Sequence, residues 1–233
     1  MGNYKILFIH GAGGTKSKWR TIKDYPEISN YEAIDLPGHG ENEFNLISSV
    51  QDYAASIDQT IQEDTIVVGH SMGGLIALEL AARNSRVKAV VLAASFYELP
   101  VHPKILGSLA DGEFPESLFN ASYYRNVSQQ LLQEEKEELN LVPVEITHAD
   151  FKACNDYKEG GDILESLKIP VYAILGKQDK LLPKEPAESL KKLNPAINII
   201  EIDESGHYIM LEQPEKFAEA LTKVIQELEK QTV

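Results

Sequence analysis

Short runs rich in Ile and Val recur along this chain, separated by longer stretches of helical periodicity, and this alternation constrains the fold more than any other feature. A run that short and apolar on both faces is a strand covered from two sides, as in parallel sheets whose crossover connections are helices. The expected strands are Lys5 to Ile9, Tyr31 to Ile34, Thr65 to Gly69, Val87 to Ala93, Pro170 to Gly176 and Ile197 to Ile202. The prediction is therefore an α/β fold, a mostly parallel sheet of about six strands with helices on both faces.

Between the strands, Ser48 to Gln62 carries Val50, Tyr53, Ala54 and Ile57 on one helical stripe, and Gly73 to Arg83 is a small-residue helix suited to close packing. Pro214 to Lys230 opens with a first-turn proline and repeats Phe217, Leu221, Val224 and Leu228 on one face, so it is expected to close the domain. The rhythm breaks from Phe96 to Gly160, where Pro100, Pro103, Pro115 and Pro143 accumulate among several aromatics. Residues 96–160 are read as a short helical cap inserted into a core built from residues 1–95 and 161–233. An insertion between two strands is expected over the sheet edge where parallel sheets bind ligands. Phe114, Phe119, Tyr123 and Tyr124 in it are candidates to line a hydrophobic pocket.

Composition narrows the partners. The formal charge of -14 on 233 residues repels phosphate backbones and anionic lipid surfaces, which argues against nucleic acid and membrane partners. The acidic run Glu134 to Glu138 is read as a solvated face. Cys154 is the single cysteine, so no intramolecular disulfide or thiolate metal cluster can form, and it is expected to be an inert buried thiol. No signal-peptide pattern and no membrane-length apolar run occurs, which predicts a cytoplasmic protein without a membrane span.

The strongest local signal is Gly69-His70-Ser71-Met72-Gly73, a G-x-S-x-G match preceded by the Ile66-Val67-Val68 strand and followed by the helix beginning at Gly73. A turn tight enough to lift a serine hydroxyl off a sheet strains the backbone, and flanking glycines let strand and helix approach. The Met72 N–H, at the start of that helix, is placed to stabilise negative charge. A second donor is expected from His10-Gly11-Ala12-Gly13-Gly14, which follows the first strand; Ala12 is the candidate. This glycine run is not a nucleotide loop, because neither G-x-G-x-x-G nor the phosphate-loop spacing is present.

A serine nucleophile needs a base and a carboxylate that orients it. His207 follows the last expected strand and Asp179 the strand before it, in the order Ser71, Asp179, His207. Glu98 and Asp203 are the competing acids. His39, in Asp35-Leu36-Pro37-Gly38-His39-Gly40, is read as part of a rigid turn without a chemical role, and Trp19 as a core anchor beside the glycine loop.

Taken together, His10-Gly11, Asp35 to Gly40, Gly69 to Gly74, Asp179 and Gly206-His207 resemble the α/β-hydrolase superfamily over nearly the whole chain. The closest likeness is to small capped carboxylesterases and to lipase-like or proline-iminopeptidase-like members. That resemblance implies a serine esterase with no metal or organic cofactor. Two departures stand out: the antiparallel strands that usually precede the first strand are expected to be missing, and Ala12 replaces a bulkier residue, which implies a wider acyl pocket.

The expected activity is cleavage of a small-molecule carboxylic ester through an acyl-enzyme on Ser71. A C–C lyase or synthase using the same triad, or a ligand-binding protein without turnover, are the competing classes. Acyl group, leaving group and oligomeric state stay open at this stage.

Overall fold

The computed structural model describes residues 4–42 and 46–231. In chain order the elements are β1 (Lys5–Ile9), β2 (Tyr31–Ile34), α1 (Val50–Asp58), β3 (Thr65–His70), α2 (Met72–Arg83), β4 (Val87–Ala93), α3 (Pro103–Ala110) and α4 (Glu116–Ser122). They continue with α5 (Gln129–Glu138), α6 (Val144–Asp156), α7 (Gly160–Ser166), β5 (Val171–Gly176), α8 (Pro186–Leu193), β6 (Asn198–Ile202), α9 (Ile209–Glu212) and α10 (Pro214–Gln231). The described strands form one sheet in the order β2-β1-β3-β4-β5-β6, every neighbouring pair parallel.

The predicted strands lie where the Ile/Val runs placed them, and the period-2 alternation of each strand divides the core. Leu7 and Ile9 of β1, Val67 of β3 and Leu92 of β4 face one layer with α1, α2, α7 and α8. Ile6 and Phe8, Ile66 and Val68, and Val91 face the other, with Trp19 and α10. The stripe of α10 is buried through Phe217, Leu221, Val224 and Leu228, each such side chain contributing about 1.5–3 kcal/mol.

The first helix is shorter than the stretch Ser48 to Gln62. Ser49 caps it by accepting the Asp52 N–H, and Thr60 turns its hydroxyl back onto the Ile57 carbonyl just past the other end. Four helices, α3 to α6, occupy the insertion between β4 and β5, and α7 brings the chain back beside α2. The solvated reading of Glu134 to Glu138 fails at one position. Glu135 is fully buried, because Lys18, Arg20 and Tyr123 all bond its carboxylate.

Candidate active site

The turn after β3 is strained. Ser71 sits at φ 50, ψ -117, a conformation a non-glycine residue holds only when its surroundings enforce it. Those surroundings are explicit: the Ser71 N–H donates to the Ala93 carbonyl (3.1 Å), while the Ser71 carbonyl accepts from Gly74 N–H (2.9 Å) and Ser95 Oγ (2.7 Å). Gly69 is required because a β-carbon there would lie 2.1 Å from the Gly73 carbonyl oxygen, inside the helix that must pack on the strand.

The second component lies across the sheet's carboxyl edge. His207 Nδ1 is 2.8 Å from Asp179 Oδ2; since a carboxylate only accepts, Nδ1 carries the proton between them, and the neutral tautomer this selects has its lone pair on Nε2. Asp179 is in turn held by the Leu181 N–H on Oδ1 (2.8 Å). The competing acids are engaged elsewhere, Asp203 with Lys177 and Glu98 with Lys158. The His207 backbone is pinned from two directions, its N–H on the Ser122 carbonyl of α4 (2.8 Å) and its carbonyl accepting from His70 Nε2 (3.0 Å). Burial, with the neighbouring His207, pushes His70 well below the ordinary histidine range, so it serves as a neutral donor.

Ser71, His207, Ala12 and Gly13 open onto one cavity of about 250 Å³ beneath the insertion, a little below the usual range for ligand pockets. Phe114, Phe119 and Tyr123 line it as expected. Tyr124 does not: it faces a separate surface groove beside Arg20, and its backbone N–H bonds Glu212 (2.7 Å). Met72 begins α2, so its N–H has no partner inside the helix. Among the described residues no acceptor engages the Ala12 N–H either. Trp19 is buried against Phe8 and Phe217 beside the glycine loop, and Cys154 is buried on the cavity wall, where burial raises its thiol pKa.

Three carboxylates to which the sequence reading gave no such role, Glu135 among them as part of a solvated run, position these loops. Asp150 of α6 accepts the Gly13 N–H (2.8 Å), the Tyr53 hydroxyl (2.7 Å) and His39 Nε2 (2.8 Å), with the Asp150, Tyr53 and His39 side chains all out of water. The turn histidine His39 is thus one half of a buried pair. Glu212 accepts the N–H groups of Gly206 and Tyr208 (both 3.0 Å), the two residues flanking His207. Burial raises its pKa, and these backbone bonds offset part of that. Glu135 is the third. Asp150 lies on the buried face of α6 between Thr147 and Ala153, Glu212 follows the buried Ile209-Met210-Leu211, and Glu135 is the one buried residue of α5, so no local pattern marks the three in the sequence.

A strained serine turn that opens onto the same covered pocket as a histidine–carboxylate pair, at one edge of a parallel sheet, is an arrangement of the kind met in hydrolases built on an α/β sheet. The chain belongs to the α/β hydrolase family, whose model matches residues 6–220. It is 26% identical over 232 residues to the pimeloyl acyl-carrier-protein methyl ester esterase of Neisseria meningitidis serogroup C, covering 92% of this chain and 90% of that protein. A solved thermophilic esterase shares 27% identity at a TM-score of 0.83, covering 96% of this chain and 90% of that one. A lipase-esterase related protein from Clostridium acetobutylicum has the same fold, with a TM-score of 0.84, 22% identity, and coverage of 95% and 94%. The chain therefore stands close to the esterase- and lipase-like members of the family. No described helix is long and apolar enough to cross a membrane.

Proposed function

We propose that the protein is a serine esterase that cleaves small carboxylic esters through an acyl-enzyme on Ser71, with His207 as base and Asp179 as its orienting acid. The observation that carries this reading is the strained Ser71 turn opening onto the same cavity as a His207 whose tautomer Asp179 dictates. The methyl ester activity in the name of the Neisseria relative supports an ester over an amide.

In the reaction, His207 Nε2 takes the Ser71 proton as Oγ bonds to the substrate carbonyl carbon. The carbonyl π electrons move to its oxygen, and the N–H groups of Ala12 and Met72 stabilise that oxyanion. As the carbonyl reforms, the ester C–O bond breaks and the alcohol departs with the proton from His207. Water then repeats the sequence on the acyl-enzyme, giving up a proton to His207 and releasing the acid and free Ser71. Residues 96–160 act as the cap that shapes the acyl pocket over the core of residues 1–95 and 161–233.

The test is intact-mass analysis after exposure to a fluorophosphonate, with Ser71→Ala alongside. One adduct on the parent chain and none on the variant is the expected result. Equal labelling of both, or ester turnover surviving in Ser71→Ala, refutes the assignment.

A further inference from the structure

A buried lysine faces the cavity. Lys18 is only 4% exposed, yet it forms part of the pocket wall together with Ser71 and His207, while much of the remaining wall is apolar, including Ile105, Leu118 and Phe119. An ammonium carries three N–H donors. One reaches Glu135 Oε2 at 2.6 Å, and the Tyr208 ring lies 5.3 Å from Nζ; among the described residues no second acceptor is present. Glu135 is itself shared, since Oε1 takes Arg20 (2.9 Å) and Oε2 also takes Tyr123 Oη (2.9 Å). Two cations thus draw on one buried carboxylate, and the one against the pocket keeps unused donors.

Fastening α5 to the loop does not require Lys18. Arg20 already bridges that loop to Glu135 and Glu134, and Ser17 bonds Glu138. Replacing one buried ion pair by apolar side chains is often neutral for stability, so fastening alone gives no reason to seat a charge on a hydrophobic acyl pocket. A purely hydrocarbon acyl chain entering there would strip water from the spare N–H groups and return nothing. An acyl chain bearing an oxygen acceptor would satisfy them.

We propose that Lys18 is a specificity-determining residue that selects esters whose acyl chain carries an oxygen acceptor beyond the scissile carbonyl, a carboxylate ahead of a hydroxyl. This deepens the esterase reading and rests on it.

The test uses p-nitrophenyl monoesters of dicarboxylic acids of increasing chain length. Each is measured beside the plain fatty-acid ester and the ω-hydroxy ester of the same length. At the length that reaches Lys18, kcat/KM for the carboxylate is expected to exceed that for the plain ester by about 10- to 100-fold, the value of one charge-assisted hydrogen bond, with the hydroxyl between them. Lys18→Met is expected to collapse that ratio, whereas a merely structural lysine would lower both rates and leave the ratio intact. Should that variant fail to fold, Lys18→Gln, which keeps a donor for Glu135 without the charge, is read for the same loss of ratio, and Lys180→Ala, the other lysine on the wall, is expected to leave the ratio intact. A parent that turns over plain esters best at every length overturns the Lys18 proposal and leaves the esterase reading standing; a parent inert toward all of them, and toward the fluorophosphonate, removes both.

Discussion

Replacing Asp150 with Asn changes one atom and no volume, yet the structure makes it expensive. The carboxylate sits at 0% exposure, with Oδ2 taking both the Gly13 N–H and His39 Nε2 and Oδ1 taking the Tyr53 hydroxyl. The His39 ring also donates from Nδ1 to the Pro37 carbonyl (3.1 Å), so both ring nitrogens face acceptors. Burial pulls the His39 pKa down, but the bond to Asp150 and its charge more than reverse that, leaving it raised. An Asn oxygen in the Oδ2 position keeps the Gly13 bond but strands the imidazolium; once that proton leaves, two lone pairs oppose each other. Flipping the amide instead points two donors at each other, Asn N–H and Gly13 N–H.

Breaking one side of a buried pair costs about 3–5 kcal/mol. Against a total stability of about 5–15 kcal/mol this is a large share, and at roughly 2–4 °C per kcal/mol for a chain of this size it lowers Tm by about 6–20 °C. Thermal unfolding followed by circular dichroism measures it directly. The double variant Asp150→Asn/His39→Gln should fall short of the sum of the singles, because the second change removes the stranded group. A Tm within about 3 °C of the parent, or strict additivity, would refute the pairing.

Two further outcomes follow from local geometry and from titration. Gly69→Ala should be severely destabilised or insoluble, since its methyl meets the Gly73 carbonyl at 2.1 Å, whereas Gly107→Ala, on an exposed turn of α3 with nothing within 4 Å, should gain about 0.5–1 kcal/mol by chemical denaturation. A loss of stability at Gly107 equal to that at Gly69 contradicts the packing argument. Burial and the neighbouring His39 push His10 down to about 4, below its value of 6.5 in the unfolded chain, so it supports the fold fully above pH 6.5. That support, about 3 kcal/mol, is lost as pH falls from 6.5 through 4; histidine ring NMR with parallel urea unfolding checks it, and a His10 ring that titrates near 6.5 sinks it.

What could be read from the chain before any coordinates were those features whose determinants are close in sequence. The Ile66-Val67-Val68 run, the glycines around Ser71 and the strand ends carrying Asp179 and His207 each announce themselves within a few residues, because strand burial and a tight turn are local requirements. Asp150, Glu135 and Glu212 have no such signature. The polar helix Gln129–Glu138 reads as solvated until the loop carrying Lys18 and Arg20 is placed over it. Tyr124 fails for the same reason, since neither it nor its neighbour Tyr123 reveals in sequence which of the two turns inward.

These three carboxylates, two buried and one half-buried, share a function that explains where they fall. Each proposed catalytic group sits on a loop beyond a strand end, where the sheet's own hydrogen bonds stop, and a loop without a ladder is mobile unless something else ties it. Asp150 holds the loop of Ala12 through Gly13, and Glu212 holds the two backbone N–H groups around His207. Glu135 takes Arg20 as well as Lys18 from the turn that follows the glycine loop. Two of the three, Asp150 and Glu135, come from helices of the insertion, so the cap that roofs the pocket also holds one side of the proposed catalytic edge in register. A cap exchanged for that of another member of the family would therefore need to bring its own carboxylates to Gly13 and Arg20, or the segment beneath it would lose its position even with Ser71, Asp179 and His207 untouched.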